Sequence, residues 1–281
     1  PDHDDPMGNW QPLLTEEQLD PGRTAREAGA DIFSFVKGAQ AGVFFHDLFE
    51  RMTFDPKNRA ARSALVQTKL AEHGFEPRWE PGVTELLQQV LTLELSATGT
   101  GFHLGQLTSE QRIHELEFYF PLKKMTPDYL VRLLEPHFNN PERISELNRI
   151  KTLTFNPVQG FVKGFIDMVF SYESRYFLVD WKSNHLGNAK EDYGYERLRA
   201  VMTEHLYGLQ ALIYTLALDQ YLRMRVTDYR YETHFGGVYY IFLRGIHDEW
   251  GENYGVFSDK LAPATIRTLR EGLIPLPSFQ R

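Results

Sequence analysis

The stretch GFVKGFIDMVFSYESRYFLVDWKSN, residues 160–184, decides the fold of this chain. It contains two runs rich in aromatic and β-branched residues, 161–170 and 176–181, with the polar segment 171–175 between them. Runs of this composition favour strands, and a polar turn between two of them predicts a β-hairpin. The sequence therefore predicts a sheet with this hairpin at its centre.

The pairing of the two strands brings charged side chains together. If the strands pair symmetrically about Glu173 and Ser174, Asp167 lies directly across the ladder from Asp180, because the two positions average to that midpoint. Residues opposite each other on an antiparallel ladder share a face. Lys182 lies two residues after Asp180 and so shares that face as well. The hairpin therefore predicts two carboxylates and an ammonium group on one patch.

The two carboxylates of this patch are unfavourable so close together unless another group offsets their charge. Two adjacent carboxylates repel each other, so one of them takes up a proton or both share a cation. The apolar neighbours Val169 and Leu178 add a desolvation cost. A hard divalent ion with oxygen ligands, Mg²⁺ by preference, removes both costs. Carboxylates that hold such an ion beside a lysine are the groups that metal-assisted phosphodiester hydrolysis needs. The spacing alone is equally compatible with a salt bridge on a solvated face of the sheet.

The same residues lie within recognisable motifs. GFID at 164–167, followed by DWKSN at 180–184, resembles the PD-(D/E)XK nuclease motif in the form found in RecB-like nuclease domains of bacterial exonuclease V. An isolated D…DxK pattern is a weak signal, but five motifs in the right order form a strong one. The further segments are 42–50 (GVFFHDLFE), 115–121 (ELEFYFP), 207–222 (YGLQALIYTLALDQYL) and 234–245 (HFGGVYYIFLRG).

This resemblance implies a fold and a domain organisation. The fold class is α/β with a restriction-endonuclease-like architecture, in which a mixed β-sheet is flanked by helices and preceded by an N-terminal helical lobe. The pattern alone predicts only an α/β protein with a hairpin. We expect residues 1–281 to form a single RecB-like nuclease domain. Its expected parts are a linker remnant and lead-in (1–37), a helical lobe (38–110), the nuclease core (111–250) and a C-terminal helix and tail (251–281).

The resemblance also implies a metal site. His46, Asp167 and Asp180 would hold Mg²⁺, as one or two ions, with Ca²⁺ or Mn²⁺ as substitutes. The main-chain carbonyl of Trp181 would complete the ligand set, and Lys182 would position or activate water. Without the motif, His46 on its predicted helix at 38–51 is typical of a packed core histidine. Imidazole beside two carboxylates is nevertheless a sound set of ligands for a divalent ion.

Three further residues are candidates for the catalytic site. The alternation of 114–120 predicts a strand with Glu115 and Glu117 on one face, and the family's acidic position matches Glu115. A solvated strand face is the alternative. A long helix predicted over 197–225 places Gln210 and Tyr214, four residues apart, on one face. These two coincide with the family's Q-x-x-x-Y element, which lies beside the active site and helps hold DNA or the catalytic lysine. Helix surface and a buried aromatic ring are the alternative reading.

Composition limits the other functional classes. The chain has 281 residues, a formal net charge of −8 and no cysteine, so it has no disulfides or thiolate metal sites. No apolar run is long enough to span a membrane and none resembles a signal peptide, so we expect a bacterial cytoplasmic protein. The negative charge opposes generic binding of nucleic acid, so we expect this domain alone to bind DNA weakly. Without a Walker-type loop we expect no hydrolysis of ATP.

The resemblance implies partners as well. Single- and double-stranded DNA would be the substrates, in double-strand break repair and recombination, beside RecC-like and RecD-like subunits and with a surface for RecA. The first residue is Pro1 rather than Met, which favours a piece of a longer subunit. The alternatives are a stand-alone RecB-like nuclease of phage or CRISPR type and a catalytically inactive docking module.

Overall fold

The computed structural model describes residues 32–96, 101–154 and 158–275. Most of the predicted linker remnant, up to residue 31, and the end of the predicted tail, from residue 276, lie outside the described residues. The helices are α1 (Ala39–Arg51), α2 (Arg59–Glu72), α3 (Glu80–Thr92), α4 (Pro127–Leu134), α5 (Pro141–Lys151), α6 (Tyr195–Glu204), α7 (Tyr207–Arg225), α8 (Tyr231–His234) and α9 (Pro263–Leu273). The strands are β1 (Glu94–Leu95), β2 (Phe102–His103), β3 (Arg112–Met125), β4 (Val158–Tyr172), β5 (Arg175–Lys182), β6 (Phe235–Phe242) and β7 (Val256–Asp259).

Strands β3 to β7 form one five-stranded sheet in the order β3-β4-β5-β6-β7. All neighbours are antiparallel except β5 and β6, which run parallel. A parallel pair needs a crossover connection, and here α6, α7 and α8 lie between the two strands in the chain. The expected α/β fold, a mixed sheet flanked by helices, is confirmed. The region 38–110 contains α1 to α3 and the small β1-β2 sheet, and its status as a separate lobe stays a prediction.

The central hairpin has the predicted register. Met168 pairs with Val179, and Tyr172 pairs with Arg175. Glu173 and Ser174 form the two-residue turn, with φ angles of 47° and 60°. Two consecutive left-handed residues are typical of a tight turn whose twist matches the strands it joins. Because the ladder is symmetric about this turn, Asp167 and Asp180 (the next positions along it) face each other across the two strands.

Apolar side chains cover both faces of the central strands β5 and β6. Leu178 and Val238 belong to a core cluster that includes Leu212 of α7. Their strand neighbours Phe177 and Tyr239 belong to a second cluster that includes the α1 side chains. Since successive residues of a strand point to opposite faces, α7 and α1 lie on opposite sides of β5. The site described below lies where these two helices approach the ends of β4 and β5.

The single helix predicted over 197–225 is wrong. The chain forms two helices, α6 and α7, separated by His205 and Leu206. Leu206 has a left-handed backbone, with φ of 58°, and no helix continues through such a residue. Helix periodicity on both sides of the break is similar, so the apolar pattern does not reveal it. The break sets Tyr207 at the first turn of α7, where its ring meets Lys182.

Buried Arg244 joins the chain before α1 to the end of β5. It follows β6, is fully buried, and donates through Nε to the main-chain carbonyl of Ser183 at 3.0 Å. Its two terminal nitrogens donate to the carbonyls of Ile32, Phe33, Phe35 and Val36. Burial lowers the pKa of this guanidinium to about 10. Arg244 therefore holds the residue after Lys182 against the segment that leads into α1.

We expect Arg244→Lys to lower the free energy of unfolding by about 3 kcal/mol, because an ammonium group cannot reach all of these carbonyls and buried carbonyls without donors are costly. Equilibrium unfolding in urea measures this difference. The control is Arg225→Lys, at an exposed position, which should change the free energy by less than about 0.5 kcal/mol. Equal effects of the two substitutions would contradict the role given to Arg244.

Among the described residues, no helix combines the length and the apolar character needed to cross a membrane.

Candidate active site

Three potential ligands from three elements converge at one end of the hairpin. His46 of α1, Glu115 of β3 and Asp167 of β4 place one ligand atom each within 4.8 Å of one another. His46 Nδ1 lies 3.5 Å from Asp167 Oδ1. The His46 side chain keeps 37% of its surface exposed and that of Asp167 keeps 10%, so the cluster is open to solvent on the side of α1.

The position of His46 follows from the packing of α1 on the sheet. Phe45, Leu48 and Phe49 of this helix are fully buried. The ring of Phe49 stacks on that of Trp181 in β5, with centroids 4.1 Å apart and an interplanar angle of 13°. His46 lies one turn before Phe49 on the helix, and residues three apart are neighbours on a helix surface. The stacked pair therefore fixes the imidazole over the end of the hairpin.

Glu115 reaches the cluster through a kink in β3. Its φ of 49° is left-handed, a conformation that costs a non-glycine residue about 1–3 kcal/mol and is often found at functional sites. The ladder runs regularly on both sides, with His114 opposite Met168 and Leu116 opposite Ile166. Ile166 and Met168 nevertheless pack in different core clusters, although residues two apart on a regular strand share a face. The alternation of faces therefore breaks at Glu115 and Asp167.

Asp180 and Lys182 form an ion pair beside this cluster. Asp180 Oδ2 lies 2.6 Å from Lys182 Nζ, and the two side chains are 3% and 11% exposed. Lys182 is the partner that compensates the charge of Asp180 Oδ2, and the attraction between them raises the pKa of the lysine. The pair thus lies largely buried beside the three potential ligands.

The two carboxylates influence each other strongly. Burial raises the pKa of Asp167 well above its usual range, and repulsion from Asp180 adds to the effect. The main-chain N–H of Trp181 opposes it by donating to Asp167 Oδ2 at 2.8 Å. Burial also raises the pKa of Glu115, with further repulsion from Glu50 and Asp180. The site therefore concentrates more negative charge than its own protein groups neutralise.

His46 and Lys182 respond to this charge in different ways. Burial lowers the pKa of His46 more than Asp180 and a hydrogen bond to the main chain of Trp181 raise it. The imidazole is therefore biased toward the neutral form that ligates metals. Burial also opposes the charge on Lys182, but attraction to Asp180 prevails and raises the pKa of this lysine. Lys182 consequently keeps its proton.

A network from α7 and β6 holds the ammonium group of Lys182. Its Nζ donates to Gln210 Oε1 at 3.1 Å and lies 3.9 Å from the centroid of the Tyr207 ring. Gln210 Oε1 also accepts from the Tyr240 hydroxyl at 3.3 Å, and its Nε2 donates to the Tyr214 hydroxyl at 3.0 Å. Because Lys182 can only donate, the orientation of the Gln210 amide is determined.

The donor set fits a hard divalent cation. It consists of His46 and the carboxylates of Glu115 and Asp167, with Asp180 beside them as the ion-pair partner of Lys182. The main chain of Trp181 contacts both His46 and Asp167. Carboxylate oxygens are the ligands that Mg²⁺ and Ca²⁺ prefer. A cation there would offset the mutual repulsion of the carboxylates.

The structure brings the predicted site residues into one connected region. They are His46, Glu115, Asp167, Asp180, Trp181, Lys182, Gln210 and Tyr214. Glu117 stays exposed and pairs with Lys163 instead. Sequence reasoning did not single out Glu50, one helical turn after His46, or Tyr207, which opens the motif containing Gln210. Glu50 lies four residues after His46, and Tyr207 lies three residues before Gln210. Each therefore shares a helix face with a predicted site residue, and this spacing was the signal that could have found them.

Comparison with known proteins gives a consistent result. The sequence pattern of the PD-(D/E)XK nuclease superfamily matches residues 22–249. The chain is 41% identical over 219 residues to RecBCD enzyme subunit RecB of Escherichia coli (strain K12), covering 76% of this chain and 17% of that protein. It is 32% identical over 245 residues to RecBCD enzyme subunit RecB of Mycobacterium tuberculosis (strain ATCC 25618 / H37Rv), covering 78% of this chain and 22% of that protein. The chain thus spans about a fifth of the length of these relatives, and the resemblance inferred from the motifs is confirmed.

Proposed function

Because the chain belongs to the PD-(D/E)XK nuclease superfamily, we propose that it is a Mg²⁺-dependent deoxyribonuclease domain of a RecBCD-type subunit. It hydrolyses phosphodiester bonds of single- and double-stranded DNA in double-strand break repair and recombination. The observation that supports this most is the meeting of Asp167 and Asp180 with Lys182 at the end of one hairpin. Two carboxylates beside a lysine are the groups that metal-assisted hydrolysis needs.

His46, Asp167 and Asp180 would hold the cation, together with the main-chain carbonyl of Trp181. Glu115 would complete the carboxylate set, and Mn²⁺ or Ca²⁺ would substitute for Mg²⁺. When bound, the ion supplies Lewis acidity to the scissile phosphate and lowers the pKa of coordinated water.

Lys182 acts as a proton-bearing donor in this proposal. Its raised pKa makes it a poor base, so it orients the attacking water and offsets negative charge that develops on the phosphate. Gln210 and Tyr207 restrict the ammonium group from two sides. Tyr214 in turn accepts a hydrogen bond from the Gln210 amide. In this proposal Gln210 and Tyr214 therefore position Lys182 and do not contact the reacting atoms.

The relatives named RecB are subunits of the RecBCD enzyme. By analogy we propose that the domain works beside RecC-like and RecD-like subunits and offers a surface to RecA. With a net charge of −8 the chain repels DNA at long range, so delivery of the strand by such neighbours would explain how an acidic domain receives its substrate.

Mg²⁺-dependent degradation of a labelled single-stranded oligonucleotide tests this function. We expect cleavage with Mg²⁺ and a loss of at least about 10²-fold in rate with excess chelator, because the ion's charge stabilisation is worth several kcal/mol. Re-addition of Mg²⁺ or Mn²⁺ should restore the rate. The control is Glu135→Gln, at a carboxylate that is 63% exposed and pairs with Lys151 outside the cluster, which should retain the wild-type rate. Cleavage at an equal rate in chelator would contradict the proposal.

A further inference from the structure

The outer face of the β3-β4 ladder exposes large aromatic side chains. Tyr119 is 62% exposed, Phe161 is 46% exposed and Phe165 is 45% exposed. Their strand neighbours Phe118 and Phe120 point to the other face and are buried. Exposed rings grouped in this way mark an interaction surface more often than chance. We call Tyr119, Phe161, Lys163 and Phe165 the aromatic platform.

The platform is held in a fixed arrangement. Tyr119 pairs with Lys163 across the ladder, and Phe165 pairs with Glu117. The rings of Tyr119 and Phe161 stack with centroids 4.4 Å apart and an interplanar angle of 8°. This stacking supports one face of Tyr119, and the residue still keeps 62% of its surface exposed. A rigid ring with one free face can accept a flat partner at little entropic cost.

The platform is continuous with the candidate active site. The strands that carry it, β3 and β4, also carry Glu115 and Asp167. Phe165 lies two residues before Asp167, roughly 7 Å along the strand, and Phe161 lies about 20 Å away. Ile166, the neighbour of Phe165, packs in the core cluster that includes α7, so the platform lies on the same side of the sheet as α1, which carries His46. A flexible chain whose phosphate occupies the site can therefore follow β4 and reach each ring in turn.

The charges on this face favour a nucleic acid over an apolar protein surface. Lys163 lies in the middle of the platform, 5.8 Å from the centroid of the Phe165 ring. Its ion pair with Glu117, at 2.7 Å, is exposed on both sides, and exposed pairs of this kind are worth little and exchange readily. Covering this pair with a dry protein surface would desolvate both charges, whereas a phosphate can replace Glu117 as the partner of Lys163 and leave that carboxylate in solvent.

We propose that the aromatic platform binds unpaired bases of the single-stranded DNA whose backbone occupies the active site. Tyr119 and Phe165 offer ring faces to successive bases, and Lys163 meets the intervening phosphates. Bases within a duplex already stack on each other, so only an unpaired strand can use the platform. This inference rests on the proposed nuclease function and adds to it a preference for single strands.

The test compares binding of single-stranded oligonucleotides to the wild type and to the double variant Tyr119→Ala/Phe161→Ala. Fluorescence anisotropy in chelator excludes cleavage during the measurement. We expect the variant to bind an oligonucleotide of about 12 residues roughly 5- to 100-fold more weakly, since base–aromatic stacking commonly has effects of that size. Binding of blunt duplex DNA should not change. Circular dichroism should show an intact fold, because both side chains are exposed.

Two further double variants distinguish stacking from general apolar contact. Tyr119→Phe/Phe161→Tyr keeps both rings and should bind as the wild type does. Tyr119→Leu/Phe161→Leu keeps apolar surface without ring faces and should bind as weakly as the alanine variant. Met224→Ala, at a residue 77% exposed on α7, is the control for loss of an exposed apolar side chain and should bind normally.

Kinetics supply an independent measurement. With Mg²⁺, the alanine variant should show a raised KM on the oligonucleotide and an unchanged kcat on a dinucleotide, which is too short to reach Tyr119 from the site. Unchanged oligonucleotide affinity in the alanine variant, or an equal loss on duplex DNA, would overturn the inference. If the wild type does not cleave DNA at all, the proposed function fails, while the anisotropy series still decides whether the platform binds single strands.

Discussion

Replacing Asp180 by Asn should lower the rate of Mg²⁺-dependent DNA cleavage by about 10²–10³-fold or more. Asn has nearly the same shape, so the change removes a charge and little else. The carboxylate is 3% exposed, and its Oδ2 lies 2.6 Å from Lys182 Nζ. A cation would share this oxygen with the lysine, and a neutral amide oxygen is a weaker ligand for a hard ion. Single-turnover cleavage of a labelled oligonucleotide measures the loss.

The same substitution should remove a second signal that does not depend on catalysis. Mg²⁺ should raise the Tm of the wild-type protein, because a ligand that binds only the folded state stabilises it. The Asp180→Asn variant should show a much smaller rise. The matched control is Asp219→Asn, at another fully buried carboxylate, which pairs with Arg223 and Arg270. It should lower stability and leave both the Mg²⁺ shift and the cleavage rate of the folded protein unchanged.

The two measurements together separate the possible explanations. If Asp180→Asn cleaves DNA at the wild-type rate with Mg²⁺, the site assignment is wrong. If the wild type itself neither cleaves DNA nor gains stability from Mg²⁺, the carboxylates serve the fold alone, as in a docking module. Loss of cleavage with an undiminished Mg²⁺ shift would show that Asp180 acts on the substrate and is not a ligand.

The register of the central hairpin is predictable from sequence because one local feature controls it. The polar Glu173 and Ser174 lie between two apolar runs. A two-residue turn at these positions determines which residues of the two strands pair with each other. Lys182 is then placed by the period of a strand. The meeting of Asp167, Asp180 and Lys182 therefore follows from residues that are close together in the chain. The role of His46 could be predicted only from the motif, because no feature of the sequence near His46 indicates which end of which strand its helix packs against.

Features that depend on distant contacts were not predictable in this way. The alternation of residues in β3 predicts that Glu115 and Glu117 share one face. In the structure the backbone is left-handed at Glu115, at the point where β3 and β4 pass from one core cluster to the other. Arg244 at the end of an apolar strand resembles a surface cation, yet the carbonyls that satisfy it belong to residues 32–36. No pattern within either segment records such a contact. Tertiary packing decides both conformations.

Replacing Lys182 by Met should lower cleavage by about 10²-fold or more while preserving the response to Mg²⁺. The ammonium group is nearly buried and has a raised pKa, so it contributes a fixed positive charge near the phosphate. Met fills a similar volume without this charge. The substitution should therefore lower kcat, as expected for the loss of an interaction that strengthens in the transition state.

The Mg²⁺ shift distinguishes this effect from that of Asp180→Asn. In the wild type, Lys182 Nζ already lies 2.6 Å from Asp180 Oδ2 and competes with a cation for that oxygen. Removal of the lysine leaves Asp180 buried without a positive partner, which lowers the stability of the metal-free protein. The rise in Tm with Mg²⁺ should consequently equal or exceed that of the wild type. Lys151→Met, at a lysine 45% exposed, is the control and should match the wild type in both measurements. A Lys182→Met variant that loses the Mg²⁺ shift along with cleavage would mean that the lysine organises the metal site, and its assignment to the attacking water would then be wrong.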